Sequence, residues 1–376
     1  MVLVLNAEAI VQDSILCIAR SIAFQFTQYR WESVQKWATS NGGSVLTTLL
    51  SSSNSSIRAL SISALVRGED KAAQLADLGV KPIIIKSLDD LDAIQVAASS
   101  HDIVLNLASG YHTASARAEI LGLAARKRKT GKDVYFLHQS GTSNLADRPI
   151  TGYVQTRVFS DRDNIYEFEV QREELEQYAQ RTTDVVVVQT GKEVGVKTYI
   201  IMSPTIYGMG SAKVGNRLSI QIPSLVKAAL KADRAETVGK GEGVWNYVHI
   251  EDLTVLWEQL LLKVVQGEAI PQGEEGIYFS ETGEFTWRSL AELIGKAGKE
   301  LGKLESAEVA QISLEDAAKK WAGGDPQLAE LGFASNARTK TGLAKELLGW
   351  EPVKTKEDWE RSVREEFEAI AKAQGA

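Results

Sequence analysis

Short apolar runs alternate with helix-length amphipathic stretches along the chain after residue 40. Two of these runs, Ile83-Ile84-Ile85 and Ile103-Val104-Leu105, are continuously apolar. Continuous runs are typical of strands buried on both faces of a parallel sheet, whereas the residues of a half-exposed strand alternate. The pattern therefore predicts an α/β fold with a doubly wound parallel sheet of the Rossmann type, joined by right-handed crossovers.

The same pattern gives the expected order of elements. Strands are predicted over residues 57–66, 81–85, 102–107, 133–138 and 198–202, and helices over residues 43–50, 70–77, 89–98, 114–128 and 166–181. Beyond Gly210, helices are predicted over residues 222–232, 253–266, 286–301 and 356–373. We therefore expect an atypical N-terminal segment (1–41), a Rossmann domain (42–210) and a smaller substrate-side lobe (211–376) that is partly interleaved with the sheet.

Composition narrows the classes of function. The chain has 376 residues, 44% of them hydrophobic, and a formal net charge of −7 from 42 basic and 49 acidic residues. It lacks the basic excess that binds a nucleic-acid backbone. The one cysteine, Cys17, excludes a disulfide framework and a thiolate zinc site, and with four scattered histidines no metal is expected. No apolar run approaches the roughly 20 residues that span a bilayer, so a soluble cytoplasmic protein without a membrane partner is expected.

Several short motifs stand where the predicted strands and helices meet. Chemistry in doubly wound folds lies at the carboxyl ends of the strands, so motifs at these positions are candidates for the functional site. They are Gly42-Gly43-Ser44-Val45, Val66-Arg67-Gly68, Asn106-Leu107-Ala108-Ser109-Gly110, His138-Gln139-Ser140-Gly141, Ser203-Pro204-Thr205-Ile206-Tyr207-Gly208 and Trp245-Asn246-Tyr247-Val248-His249.

Together these motifs resemble the extended short-chain dehydrogenase/reductases of the NAD-dependent epimerase/dehydratase type, and more narrowly the atypical, fungal-type members. The resemblance runs from about Gly42 to the C-terminal Gly349-Trp350-Glu351-Pro352. It implies a Rossmann fold, a nicotinamide dinucleotide cofactor and a small-molecule substrate.

The resemblance also assigns residues to the cofactor. Gly42 and Gly43 would end a glycine-rich turn that lets backbone N–H groups approach a pyrophosphate, although two glycines also precede many ordinary helices. Arg67 would face the adenosine ribose, where an arginine suits the 2′-phosphate of NADP better than NAD; alternatively it is a surface arginine. Small residues after the fourth strand, and the turn after the sixth, would lie beside the nicotinamide: Ala108, Ser109, Pro204 and Thr205.

A serine and a tyrosine are the predicted catalytic pair. Ser140, at the carboxyl end of a strand, would hold the substrate oxygen. The family also uses a tyrosine with a lysine four residues later, which lowers the tyrosine pKa from about 10. Tyr166 fits that position best, but its partner position is Val170. Tyr153 is the competing candidate, and a tyrosine that packs the core is the structural alternative for Tyr166.

The N-terminus departs from the family pattern. Counting back from Gly42, the earlier glycines of the loop fall on Thr39 and Lys36, whose side chains would obstruct a pyrophosphate. Residues 1–6 could form a first strand followed by an insertion, or residues 30–38 could form a helix with no first strand available. The abrupt return of the pattern at Gly42 favours a chain whose first exon differs from its relatives over one that has lost tight cofactor binding.

Our interpretation is an NAD(P)-dependent oxidoreductase or epimerase that acts on a carbonyl or secondary alcohol of a small molecule. Ser140 would hold the substrate oxygen and Tyr166 would exchange the proton. Arg217 and Arg234 are the only arginines between residues 211 and 245, so a sugar nucleotide, which needs an arginine cluster for its diphosphate, is not favoured. The alternative is a non-catalytic dinucleotide-binding sensor or scaffold. The oligomeric state stays open.

Overall fold

Alternating strands and helices run through the computed structural model, which describes residues 2–5 and 41–375. The strands are β1 (Val2–Leu5), β2 (Ile62–Val66), β3 (Lys81–Ile84), β4 (Ile103–Asn106), β5 (Tyr135–Gly141), β6 (Val158–Ser160), β7 (Lys197–Ser203), β8 (Thr205–Tyr207), β9 (Ala235–Val238), β10 (Val244–His249), β11 (Ile277–Phe279), β12 (Gly283–Thr286), β13 (Val309–Ile312) and β14 (Arg338–Lys340). The helices are α1 (Asn41–Leu50), α2 (Ser55–Arg58), α3 (Glu69–Asp77), α4 (Leu91–Ala98), α5 (Thr113–Thr130), α6 (Ile165–Leu175), α7 (Ala179–Val194), α8 (Gln221–Ala232), α9 (Ile250–Gln266), α10 (Trp287–Glu300), α11 (Leu314–Trp321), α12 (Pro326–Phe333), α13 (Leu343–Leu348) and α14 (Lys356–Ala373).

Seven strands form the main sheet, in the order β11-β7-β5-β4-β1-β2-β3. All neighbours in it are parallel, which confirms the predicted doubly wound sheet. The strand order reverses between β1 and β4, and ligands of open parallel sheets bind at such a reversal. Of the two interpretations of the N-terminus, the first strand is the one observed: Val4 pairs with Ala64 of β2 and Leu105 of β4.

Helices cover both faces of this sheet. On one face α1 and α9 pack against apolar side chains of the strands, with Leu46, Leu49 and Trp257 in one buried cluster. On the other face α4, α5 and α7 contribute to a second cluster, which includes Ile120 and Val187. Burial on both faces explains why the central strands read as continuous apolar runs.

A third core holds the C-terminal half together. It is built from α8, α10, α11, α12 and α14 around small sheets made of β8, β10 and β12 and of β9 and β13. Trp359 lies at its centre, stacked on Tyr247 with ring centroids 4.6 Å apart and tilted against Phe285 at 5.2 Å. Because β8 directly follows β7, this core sits beside the carboxyl end of the main sheet.

Two predicted elements differ from the structure. The stretch predicted as a strand from residue 57 begins as helix α2, because the Asn54 side chain accepts a hydrogen bond from Ser56 N and caps it. The helix predicted over 166–181 is two helices, α6 and α7, since Glu176 is extended (φ −154°, ψ 112°). The break is stabilised by Arg181, whose Nη2 donates to the Glu176 carbonyl at 2.5 Å.

A buried carboxyl group ties α14 to the loop after β8. Glu366 accepts hydrogen bonds from Gly208 N (2.8 Å) and from Ser219 Oγ (3.0 Å), and burial raises the pKa of this carboxyl from 4.5 to about 7. In the folded protein the group therefore keeps its proton between about pH 4.5 and pH 7, whereas in the unfolded chain it ionises there. The folded state loses stability across that window as the pH rises.

Replacing Glu366 with glutamine should flatten this pH dependence. The amide is isosteric, accepts from Gly208 N and donates to Ser219 Oγ, but it does not ionise. Relative to the E366Q variant, the natural chain should lose about 3 kcal/mol of unfolding free energy between pH 4.5 and pH 8. Urea unfolding of both chains at several pH values measures this difference; parallel profiles would contradict a raised pKa.

Candidate functional site

A cleft lies between the carboxyl ends of β4, β5 and β7 and the C-terminal core. It holds about 980 Å³ of space that no atom fills, the open mouth included, which suits a small ligand. Residues 107–111, 139–143 and 203–206 (Thr205 excepted) form its sheet side. The remaining lining residues are Gln180, Ser219, Ile220, Gln221, Trp245, Leu328, Gly332 and Phe333.

The lining is polar but uncharged. Among the described residues that form it, none carries a charge, and hydroxyl and amide groups stand opposite Trp245, Leu328 and Phe333. Arg217 donates instead to the Gly210 carbonyl at 2.6 Å, and Arg234 lies 3.9 Å from Glu236. An uncharged lining does not offer the cations that a diphosphate needs, and it favours a neutral ligand.

Four of the residues predicted from the sequence line this cleft together. They are Ser140 at the end of β5, Ala108 and Ser109 after β4, and Pro204 after β7. Parallel strands bring their carboxyl ends to one edge, so residues from three distant parts of the chain lie together there. Thr205 lies just behind the lining, where its Oγ1 donates to Gln221 Oε1 at 2.7 Å and so fixes a lining amide.

The predicted phosphate-side residues lie away from the lining of the cleft. Gly42 and Gly43 form the first turn of α1, and a Cβ at Gly43 would come within 2.7 Å of both Ala212 Cβ and the Val214 carbonyl. Glycine there allows α1 to pack closely on that segment. Arg67 follows β2, immediately before Gly68 (φ +84°) and α3. Positions 36 and 39, where the loop glycines were expected, lie outside the described residues.

The structure places Tyr166 on α6, outside the cleft lining. It is half-buried and packs against the cluster between the sheet and α4, α5 and α7. Burial raises the pKa of Tyr166, despite a hydrogen bond with Gln189. The competing candidate, Tyr153, is 39% exposed, with the Arg172 guanidinium 4.9 Å from its ring centroid.

A different pair of phenols lies at the cleft. Tyr111 lines it, and the Tyr111 and Tyr178 hydroxyls are 3.0 Å apart, with their rings edge to face. Tyr178, the residue before α7, donates to Ser143 Oγ at 3.2 Å, and Ser143 donates to Gln180 Oε1 at 2.6 Å. Burial is the main cause that raises the pKa of both phenols, that of Tyr178 well above 10. Both therefore stay protonated near neutral pH.

Behind the cleft wall, Ser140 leads into a buried polar cluster. Ser140 Oγ donates to Asp184 Oδ2 at 2.5 Å, and Asn144 Nδ2 donates to the same oxygen at 2.9 Å and to Glu169 Oε1 at 2.8 Å. His138 Nε2 lies 3.3 Å from Asp184 Oδ1. All five side chains are at most 3% exposed, so this cluster is shielded from solvent.

Sequence reasoning missed most of this cluster and the second phenol. Asp184 stands directly before the apolar run Val185-Val186-Val187-Val188, and a carboxylate at the start of such a run was the available signal. Asp184 was overlooked because the predicted helix ended at residue 181, whereas α7 continues to Val194 and contains Asp184. His138 is fully buried beside Asp184, and neither of its ring nitrogens has a hydrogen-bond partner among the described residues.

Within residues 2–5 and 41–375, no group of histidine, cysteine and acidic side chains is placed to hold a metal ion. In the same part of the chain, no helix has the length and apolar character to cross a membrane.

Known structures share this architecture. A dTDP-glucose 4,6-dehydratase from Streptomyces venezuelae, solved with NAD, is 15% identical with a TM-score of 0.61, and the match covers 89% of this chain and 96% of that one. A UDP-glucose 4-epimerase from Thermotoga maritima, solved with UDP-glucose, is 15% identical with a TM-score of 0.57 over the same shares. This chain has the fold of the extended short-chain dehydrogenase/reductases. The resemblance predicted from the sequence motifs is thereby confirmed.

A curated relative adds a sequence match. The oxidase ucsJ from an Acremonium species is 28% identical over 331 residues, which are 83% of this chain and 90% of that protein. No family model matches the chain.

Proposed function

We propose that the protein is an NAD(P)-dependent oxidoreductase or epimerase that acts on an uncharged carbonyl compound or secondary alcohol. The observation that carries this proposal is the uncharged cleft at the carboxyl ends of β4, β5 and β7, with Ser140 in its wall. The oxidase ucsJ match and the NAD in solved proteins of this fold support the reaction class.

The described residues leave room for the nicotinamide end of a dinucleotide at one end of the cleft. Small residues follow β4 next to the reversal of strand order, so Ala108 and Ser109 would border the nicotinamide side of the group. Pro204 would border it too, with Thr205 just behind, and Arg67 would face a 2′-phosphate. Gly42 and Gly43 are not assigned to the pyrophosphate, because Gly43 packs on Ala212 and Val214. When bound, such a group supplies or accepts a hydride.

Ser140 would bind the reacting oxygen of the substrate. The apolar wall of Trp245, Leu328 and Phe333 would hold the carbon skeleton, and the absence of charged groups from the described lining disfavours sugar nucleotides. The phenol near the substrate would be Tyr111, backed by Tyr178, whereas Tyr166, the candidate that the sequence favoured, lies outside the lining.

A titration tests the cofactor and the preference for NADP. We expect NADPH to bind more tightly than NADH by about tenfold or more, since a charge-assisted contact contributes roughly 1.5–3 kcal/mol. Arg67→Ala should remove most of that difference while NADH affinity stays unchanged. Nicotinamide fluorescence measures both constants; equal affinities in the natural chain would contradict the role of Arg67.

Turnover distinguishes the enzyme from the sensor. Neutral aldehydes, ketones and secondary alcohols should be turned over with NADP(H), and UDP-glucose should not. Cofactor binding without turnover of any neutral substrate would favour the sensor or scaffold, for which Val170 at the expected lysine position is the supporting observation. Turnover of UDP-glucose alone would overturn the proposed substrate class.

A further inference from the structure

The buried cluster behind Ser140 connects the cleft to a carboxylate. Ser140 is the member of the cluster that lines the cleft, and its proton points away from the ligand space, onto Asp184 Oδ2 at 2.5 Å. The Ser140 oxygen is then free to accept a hydrogen bond from a ligand hydroxyl, since a serine oxygen has two acceptor lone pairs. Asn144 Nδ2, 3.3 Å from Ser140 Oγ and 2.9 Å from Asp184 Oδ2, holds the two groups in place.

Asp184 and Glu169 lie together in this cluster. Both are fully buried and both accept a hydrogen bond from Asn144, while Asp184 Oδ1 and Glu169 Oε2 have no hydrogen-bond donor among the described residues. Burial, and then the charge of Asp184, raise the pKa of Glu169 well above 4.5. Glu169 therefore keeps its proton near neutral pH.

The cleft offers no other base of matching geometry in the described part of the chain. Its lining contains no lysine, histidine or carboxylate, and the phenols of Tyr111 and Tyr178 stay protonated. Ser140 is therefore the route by which a substrate proton can reach a basic group.

We propose that Asp184 is the proton acceptor for the substrate, reached through the Ser140 hydroxyl. The inference rests on the proposed oxidoreductase function. In alcohol oxidation, the substrate O–H proton passes to Ser140 Oγ while the Ser140 proton passes to Asp184 Oδ2. The C–H bond electrons leave as a hydride to the nicotinamide dinucleotide, and the C=O bond forms. Carbonyl reduction runs the same transfers in reverse.

Asp184→Asn tests the relay, since an amide keeps the position and loses the basicity. Its oxygen still accepts from Ser140 and Asn144, so a purely positioning role would be preserved. We expect about 100-fold slower oxidation, at the lower end of general-base contributions, with KM little changed. The double variant Ser140→Ala/Asp184→Asn should turn over nearly as fast as Ser140→Ala alone, because the effects of substitutions within one relay are not additive.

Glu366→Gln is the matched control, the same change from carboxyl to amide at a buried position outside the cluster and outside the cleft lining. The amide keeps the hydrogen bonds to Gly208 and Ser219, so turnover should stay close to that of the natural chain. The infrared band of a protonated carboxyl in the cofactor-free protein should be present in the natural chain and weakened in Glu169→Gln, a readout independent of activity.

The outcomes separate the relay from the proposed function. Turnover by the natural chain with an Asp184→Asn variant of unchanged rate would overturn the relay alone. Equal losses in Asp184→Asn and Glu366→Gln would also overturn it, because they would indicate that any buried carboxyl-to-amide change disturbs the fold. No turnover of any neutral substrate by the natural chain would overturn the proposed function and the relay together.

Discussion

Replacing Ser140 with alanine should lower turnover about 10³-fold and leave the affinity for NADPH unchanged. The hydroxyl lies in the cleft wall and is the group there that reaches Asp184, so its loss removes both the contact to the substrate oxygen and the proton route. Asp184 keeps its hydrogen bond from Asn144, and the cluster should therefore stay folded. Steady-state kinetics and a NADPH titration on the same preparation measure the two effects.

Two variants serve as controls for Ser140→Ala. Ser143→Ala removes a neighbouring lining hydroxyl, whose bonds run to Gln180 and Tyr178 rather than to Asp184, and should cost far less turnover. Tyr166→Phe removes a hydroxyl outside the lining and should change turnover little. A loss in Tyr166→Phe as large as in Ser140→Ala would instead support the tyrosine that the sequence favoured.

The parts of the site that follow from local pattern were accessible to sequence analysis. Ala108, Ser109 and Ser140 were found because the motifs that contain them stand at the ends of predicted strands and resemble those of a known family. In a parallel sheet the carboxyl ends of neighbouring strands share one edge. The fold followed for the same reason. For the N-terminus, the strand at Val2–Leu5 was one of two interpretations, because a short apolar run does not by itself distinguish a strand from part of a buried helix.

The buried acidic groups behind Ser140 could not be predicted from the sequence, because it is the tertiary structure that brings them close to Ser140. Asp184 accepts a hydrogen bond from Ser140, which lies 44 residues earlier in the chain. Asp184 lies near Glu169 because the chain breaks between the end of α6 at Leu175 and the start of α7 at Ala179. No glycine or proline marks that break; it is fixed by side chains such as Arg181, which donates to the Glu176 carbonyl. Local propensity carries no information on such tertiary contacts.

Proline in place of Val4 should destabilise the protein by about 4–6 kcal/mol. β1 lies between β2 and β4, with Val4 opposite Ala64 and Leu105. A proline there lacks the N–H of the ladder and crowds the neighbouring strand, which costs about 3 kcal/mol, and the orphaned carbonyl on the neighbour adds roughly 1–3 kcal/mol. Domains have only about 5–15 kcal/mol of stability, so much of the protein should unfold at 25 °C.

Urea unfolding of Val4→Pro beside Val4→Ala isolates the backbone effect, because alanine keeps the N–H. The chain already contains a natural comparison: Pro82 lies in β3, at the edge of the seven-stranded sheet, where one side of the strand needs no ladder partner among the described strands. If Val4→Pro were as stable as Val4→Ala, residues 2–5 would not be paired on both sides. If the proline instead disrupts β1, the sheet divides between β2 and β4, at the reversal of strand order where the cofactor is proposed to bind. Cofactor affinity should then fall together with stability in Val4→Pro.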